Sequence, residues 1–115
     1  MGFLHYGGDV YPMDDRTLLH VQIAVHEVAR HKPAFYLTWV VPRELGGGRL
    51  SAWVTPGVPL LFAFDGGRVA RVNRAWVEHL VEGALAGRGI VVVPEPAEHP
   101  AAAPAPAVEV AGRPE

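Results

Sequence analysis

Three histidines and one glutamate are the residues whose types and spacing come closest to a metal-binding or catalytic pattern. His20, His26 and His31 fall in one predicted helix, and Glu27 directly follows His26. A zinc-protease helix carries H-E-x-x-H, which places both imidazoles on one side with the glutamate between them. Here His26 and His31 are five residues apart, so their rings point about 140° apart around the axis. We interpret the histidines as solvated helix residues, with a metal-dependent enzyme as the alternative.

The chain offers few nucleophiles. It has no cysteine, and Ser51 and Lys32 are its single serine and single lysine. Ser51 is not part of a G-x-S-x-G turn, and the glycines at 46–48 lack the Lys-Ser/Thr of a phosphate-binding loop. Asp14 and Asp15 stand at a helix start, where a carboxylate caps free N–H groups. We therefore predict a non-catalytic binding or assembly module that uses no metal and no cofactor.

Charge and hydropathy narrow the range of partners. The net charge is −2, and the single basic cluster is Arg68, Arg71 and Arg74, which is either a solvated loop or a contact for an anion or nucleic acid. Duplex-binding proteins carry a basic stripe, so binding of nucleic acid through this cluster should be weak. No apolar run approaches the roughly 20 residues of a membrane span, and the first residues lack a leader pattern. We expect a cytoplasmic protein without a membrane partner.

Hydrophobic periodicity and turn residues predict the order ββ-α-βββ-α-β. The predicted strands are residues 3–6, 10–13, 34–41, 49–54, 58–64 and 90–93, and the predicted helices are about 15–32 and 73–87. Short connections favour an α+β fold with a single, mainly antiparallel sheet, the three middle strands forming a meander and both helices lying on one face.

Composition changes after Val93. Residues 94–115 contain six prolines and seven alanines, and such a sequence has too little apolar surface to offset the entropy of ordering. We therefore predict a compact domain over residues 1–93 and a disordered Pro/Ala-rich tail over residues 94–115.

Alternation along the predicted strands divides their side chains between two faces. The helix-covered side receives Phe35, Leu37, Trp39, Val58, Leu60, Phe62 and Phe64, and the opposite side receives Tyr36, Val40, Trp53 and Leu61. Exposed aromatic and apolar side chains mark contact surfaces. We predict that these last four residues bind a protein partner, most simply a second copy in a homodimer. The alternatives are that the first hairpin or the tail covers this face, or that it holds a small ligand.

Several short motifs over residues 1–96 resemble a family of short actinobacterial proteins. The matching residues are Met1-Gly2, Tyr6-Gly7, Asp14-Asp15-Arg16-Thr17-Leu18, His20, Phe35 to Trp39, Ser51-Ala52-Trp53, Pro59-Leu60, Phe62 to Phe64, Asn73-Arg74-Ala75-Trp76 and Val93-Pro94-Glu95-Pro96. The chain departs from that family after the first helix, where Ala29-Arg30-His31-Lys32-Pro33 replaces a basic Leu-Arg-Arg-Gly type of segment.

The resemblance implies a shared fold, and it also brings a functional label. Many members of that family are labelled "ATP-dependent DNA ligase". Such ligases attack ATP with the lysine of a K-x-D-G motif, whereas Lys32 is followed by Pro33-Ala34-Phe35. What the label implies for this chain is therefore an accessory contact with DNA and no ligation.

Overall fold

The structure, a computed structural model, describes residues 1–68 and 71–98 of the 115-residue chain. In chain order its elements are β1 (Gly2–Tyr6), β2 (Asp9–Met13), α1 (Asp15–Ala29), β3 (Phe35–Val40), a 3-10 turn (Arg43–Leu45), β4 (Arg49–Val54), β5 (Leu60–Ala63), α2 (Arg74–Leu85) and β6 (Ile90–Val91). The α+β class and the predicted order of strands and helices are confirmed. Among these residues, no helix is long and apolar enough to cross a membrane.

The strands form two three-stranded sheets, so the prediction of a single sheet is wrong. The first sheet has the order β2-β1-β5 and the second has the order β4-β3-β6. All pairs are antiparallel except β3 with β6, which is parallel. Helix α1 packs on β1, α2 packs on β6, and the two helices pack on each other, so they do not share one face of one sheet.

The predicted meander fails at β5, which pairs with β1 instead of β4. The connection from β4 to β5 contains Pro56 and Pro59, and a proline nitrogen cannot donate to a strand ladder. Gly7 N–H donates to the carbonyl of Pro59, and the Tyr6 hydroxyl donates to the carbonyl of Trp53. These contacts bring the end of β4 and the start of β5 to β1, where β5 continues alongside the first hairpin.

Helix α1 begins where the sequence predicted and ends three residues earlier. Asp14 is the N-cap, and its carboxylate accepts a hydrogen bond from Thr17 N–H. After Ala29 the N–H groups of His31 and Lys32 both donate to the carbonyl of Val28, which closes the helix ahead of Pro33. Within this helix Ala24 is buried, whereas Ala29, its last residue, is exposed.

The core lies between the helices and the inner faces of both sheets. Leu4, Leu18, Leu37, Leu80 and Ile90 are fully buried or nearly so. The two sheets also meet directly through Tyr11 and Trp39, whose rings touch edge to face with centroids 5.4 Å apart.

Strand alternation holds in β3 and fails around β5. Phe35, Leu37 and Trp39 are buried as predicted, and Leu60 and Phe62 are half-buried. Val58 and Phe64, predicted for the covered side, lie outside β5 and are 36% and 38% exposed. Beyond the ends of β5 the chain turns, so period-two alternation no longer decides which side is covered.

Residues 94–98 belong to the described part of the chain, and two of them, Glu95 and Pro96, are hydrogen-bonded to the body. Residues 99–115 lie outside the described residues, so the disorder predicted for them stays a prediction.

Gly2 marks the closest approach between β1, β5 and α1. A Cβ atom at this position would lie 2.6 Å from the carbonyl oxygen of Ala63, 2.6 Å from Asp15 Oδ1 and 2.9 Å from Leu18 Cδ2. The Asp15 carboxylate is itself held there, because it accepts hydrogen bonds from the N–H groups of Asp65 and Gly66, which lower its pKa.

We expect Gly2→Ala to destabilise the fold by about 1–3 kcal/mol, since backbone and side-chain atoms would have to shift to admit the methyl group. Gly8→Ala is the matched control, because no heavy atom lies within 4 Å of its Cβ position. Urea unfolding of both variants checks the prediction. Equal stability of the two variants would contradict the close approach.

Candidate functional site

Two groups of side chains are candidates for a functional site, a polar cluster at the N-terminal ends of the helices and the outer face of the second sheet. We call the first the Asn73 cluster (Arg16, His20, Asn73 and Glu95). We call the second the β3–β4 outer face (Tyr36, Thr38, Val40, Arg49, Ser51 and Trp53).

Asn73 uses every hydrogen-bonding group of its buried side chain. Its Oδ1 accepts from the N–H groups of Ala75 at 3.1 Å and Trp76 at 3.3 Å, which caps α2. Its Nδ2 donates to Glu95 Oε2 at 2.9 Å and to the carbonyl of Pro96 at 2.8 Å. One side chain therefore fixes both the start of α2 and the segment that follows β6.

His20 is fully buried, so its interpretation as a solvated helix residue is wrong. The Nδ1 atom lies 2.7 Å from the carbonyl of Arg16, and Asn73 N–H donates to Nε2 at 2.8 Å. The proton therefore sits on Nδ1 and the ring is neutral, in agreement with burial lowering the pKa of His20. The ring also stacks on Trp76 with centroids 4.6 Å apart.

The Glu95 carboxylate forms a two-point ion pair with the Arg16 guanidinium. Arg16 Nε donates to Oε1 at 2.7 Å and Nη2 donates to Oε2 at 2.6 Å. These bonds, together with the one from Asn73, lower the pKa of Glu95 from 4.5 to about 2. Trp76 Nε1 donates to the carbonyl of Val93 at 3.1 Å. These bonds hold residues 93–96 against the N-terminal ends of α1 and α2.

The ionisable groups of the Asn73 cluster are engaged in hydrogen bonds that hold residues 93–96 to the helices. Glu95 is ionised and paired, and both nitrogens of His20 are occupied, so neither is free to move a proton. His26 and His31 are exposed and separated from His20. Within residues 1–68 and 71–98, no group of three or more His, Cys, Asp or Glu side chains could hold a metal ion.

One of the three arginines in the predicted basic cluster, Arg71, already has an acidic partner. Arg71 forms an ion pair with Glu98, with Nη2 and Oε1 3.3 Å apart, and its carbonyl accepts a hydrogen bond from Arg16. Arg68 and Arg74 are exposed, Arg74 being the first residue of α2. Asn73 already satisfies the N–H groups of Ala75 and Trp76 at this helix end, which leaves fewer donors for an anion.

The β3–β4 outer face carries an aromatic pair. Tyr36 and Trp53 are direct neighbours across the two strands, and their rings meet edge to face with centroids 4.9 Å apart. Each side chain is about half exposed, and Val40 is 67% exposed. Thr38 and Ser51, the next facing pair on this side, share a 2.6 Å hydrogen bond between their hydroxyls.

Leu61 does not belong to this face. It is 57% exposed, but it lies in β5 of the first sheet, where it pairs with His5. The four residues predicted as one surface are therefore divided between two sheets, because β5 does not follow β4 in the second sheet.

Sequence reasoning missed the part that Glu95 plays, because it placed the end of the domain two residues earlier. An asparagine that caps a helix uses only its Oδ1 for the cap, so its two Nδ2 hydrogens need acceptors when the side chain is buried. This requirement is the sequence signal that could have predicted a partner such as Glu95. The acidic residue of Val93-Pro94-Glu95-Pro96 is the nearest such acceptor after β6.

Fold and site together define a small α+β domain of two three-stranded sheets, in which hydrogen bonds hold residues 93–96 to the helices. The chain belongs to the family described as "Domain of unknown function (DUF7882)", whose model matches residues 1–95. Comparison with curated proteins and with solved structures gave no match. The matched range includes all four residues of the Asn73 cluster.

Truncation tests whether residues 93–96 stabilise the packing of the two helices. A chain ending at Val93 leaves the buried Asn73 Nδ2 without its two acceptors, and we expect it to melt about 5–15 °C below a chain ending at Glu98. Differential scanning calorimetry of the two truncated chains gives the comparison. Melting temperatures within a degree or two of each other would show that the segment does not hold the helices.

The cluster also makes stability depend on pH. The pKa of His20 is lowered from 6.5 in the fold, so the unfolded chain takes up a proton first and the free energy of unfolding falls as the pH drops below about 6.5. The pKa of Glu95 falls from 4.5 to about 2, so a second decrease begins below about 4.5 and continues to about 2.

Urea unfolding between pH 7 and pH 3 measures both decreases. The stability advantage of the wild type over Glu95→Gln should shrink as the pH drops below about 4.5. His26→Gln, which changes an exposed ring, should leave the profile unaltered. An advantage that stays constant over this range would contradict the ion pair.

Proposed function

We propose that this domain is a binding module without chemistry of its own, and that its β3–β4 outer face joins two copies in a homodimer. The observation that carries the proposal is the pair of Tyr36 and Trp53, two large aromatic side chains in mutual contact and each about half exposed. Aromatic side chains are the commonest source of binding energy at the centres of protein interfaces.

The polar groups of this face favour burial against a partner. The hydroxyls of Thr38 and Ser51 bond to each other, so covering them leaves neither without a partner and avoids the cost of an unsatisfied buried group. Arg49, opposite Val40 at the far end of the strands, lies where a charged side chain can stay in the solvated rim.

The size of the face indicates weak association. β3 and β4 are six residues long and β6 has only two residues, so β3 and β4 give a face of roughly 20 Å by 10 Å and the total is about 230 Å². A stable complex usually buries about 800 Å² on each partner. We therefore propose a dimer that forms at high protein concentration and dissociates on dilution.

Two alternatives, in which the first hairpin or a nucleic acid covers this face, have less support. The first hairpin pairs with β5 in the other sheet, and Tyr36, Val40 and Trp53 remain exposed beside it. The aromatic pair could instead stack on the bases of single-stranded nucleic acid, the accessory role that the ligase label of similar proteins implies. Because Arg71 is paired with Glu98, less of the predicted basic cluster is available to contact the phosphates of a nucleic acid.

We expect Trp53→Glu to yield a folded monomer, because it places a charge at the centre of the interface. Leu61→Glu is the matched control, since Leu61 is equally exposed but lies in the other sheet, and it should leave the dimer intact. Sedimentation velocity over a concentration series, with circular dichroism to verify folding, makes the comparison.

Three results would overturn the proposal. One is a wild type that stays monomeric at high concentration, and another is a dimer that Leu61→Glu disrupts and Trp53→Glu does not. The third is tight binding of single-stranded DNA at physiological salt that is lost when Arg68, Arg71 and Arg74 are changed to alanine, which would favour the nucleic-acid role.

A further inference from the structure

A pocket lies where the two sheets meet, and we call it the inter-sheet pocket. Its volume is about 240 Å³. Its lining comes from β2, β3, β4 and the loop that joins β3 to β4, and it includes Tyr11, Pro12, Trp39, Leu45, Gly47 and Leu50. The β3–β4 outer face shares no residue with this lining, so the pocket is separate from the surface of the proposed dimer.

The indole N–H of Trp39 is a buried donor without an acceptor. Trp39 is 5% exposed. Trp76 Nε1 donates to the carbonyl of Val93, whereas Trp39 Nε1 makes no hydrogen bond within residues 1–68 and 71–98. Buried donors in proteins are nearly always paired. A molecule in the pocket that Trp39 lines can supply the acceptor that this N–H lacks.

The chemistry of the lining favours an uncharged ligand. Of the described residues that line the pocket, none carries a charge, and Tyr11 is the one with an ionisable side chain. Burial, followed by the nearby Asp9 carboxylate, raises the pKa of Tyr11, so the phenol stays protonated at neutral pH. An ion would lose hydration in this pocket without an opposite charge in the lining, and a cation would also leave the Trp39 N–H unpaired.

The size and the walls of the pocket suit a single aromatic ring. An apolar cavity of about 150 Å³ holds benzene, so the inter-sheet pocket has room for one ring with a few further atoms. The rings of Tyr11 and Trp39 stand at 72° to each other with centroids 5.4 Å apart, and a third ring can add another favourable ring contact. Leu45 and Leu50 are 45% and 36% exposed, and a bound ring would remove part of this apolar surface from water.

We propose that the inter-sheet pocket binds a small, uncharged aromatic molecule with a carbonyl group, and that Trp39 Nε1 donates a hydrogen bond to the carbonyl oxygen. The ring of the ligand packs against Tyr11 and covers Leu45 and Leu50. Binding therefore pairs the buried donor that has no acceptor and buries apolar surface in one step. Ligand sites of this kind combine apolar walls with a few placed polar groups.

Two-dimensional NMR of the ¹⁵N-labelled full chain tests the proposal with acetophenone as the probe. The chain has three tryptophans, and each indole N–H gives its own signal. Acetophenone should shift the signal of Trp39 downfield until the site is saturated, and it should leave the signals of Trp53 and Trp76 unchanged. α-Methylstyrene has the same shape with a CH₂ group in place of the carbonyl oxygen. It should bind about two- to tenfold more weakly, because it cannot accept the hydrogen bond.

Two leucine variants form a matched pair, because Leu45 and Leu85 are both 45% exposed and only Leu45 lines the pocket. Leu45→Asp places a charge beside the ligand and should weaken acetophenone binding at least about fivefold. Leu85→Asp should bind acetophenone as the wild type does. Trp39→Phe removes the N–H and keeps a ring, so it should bind acetophenone and α-methylstyrene equally, as measured by saturation transfer to the probes. The leucine pair decides the question where Trp39→Phe does not fold.

Three results would each overturn the proposal. The first is a Trp39 signal that acetophenone does not shift to saturation, including the case in which a proline-rich peptide shifts it instead. The second is equal affinity of the wild type for the two probes, and the third is equal weakening by Leu45→Asp and Leu85→Asp. None of these measurements depends on the oligomeric state, so the failure of this inference and the failure of the proposed dimer are distinguishable.

Discussion

The hydrogen bonds of Asn73 are the interaction on which the rest of the structure depends. Its Oδ1 starts α2, its Nδ2 binds Glu95 and Pro96, and its main-chain N–H fixes the tautomer of His20 in α1. Because Asn73 and His20 are buried, each bond also avoids the cost of leaving one of their donors or acceptors unpaired. The side chain and the main-chain N–H of this one residue therefore connect the two helices and residues 93–96.

The same arrangement occupies the ionisable groups of the Asn73 cluster. His20 and Glu95 both have hydrogen-bond partners, and their surroundings keep the buried imidazole neutral and the carboxylate charged. Exposed sheet surface of two kinds is present in the described part of the chain. The β3–β4 outer face carries the exposed aromatic pair of Tyr36 and Trp53, whereas β5 is an edge strand of the other sheet.

Residues of the candidate surface could be predicted to different extents. Tyr36 and Val40 follow from period-two alternation in a strand with buried Phe35, Leu37 and Trp39, and Trp53 follows from the facing strand. Leu61 was grouped with them only because β5 follows β4 in the chain. Pairing between strands depends on which edge is within reach after the fold has closed, and alternation contains no information about that choice.

The sequence by itself determined the identity and order of the elements, and the caps at Asp14 and Asn73, because these depend on side chains within a few residues of each other. Only the tertiary structure decided that β5 joins β1, that the strands divide into two sheets, and that Glu95 belongs to the body. It also decided that His20, polar and on a helix, lies in the core. The physical reason is distance along the chain: His20 meets Asn73, and Arg16 meets Glu95, across 53 and 79 residues. No local pattern in a sequence encodes contacts of that separation.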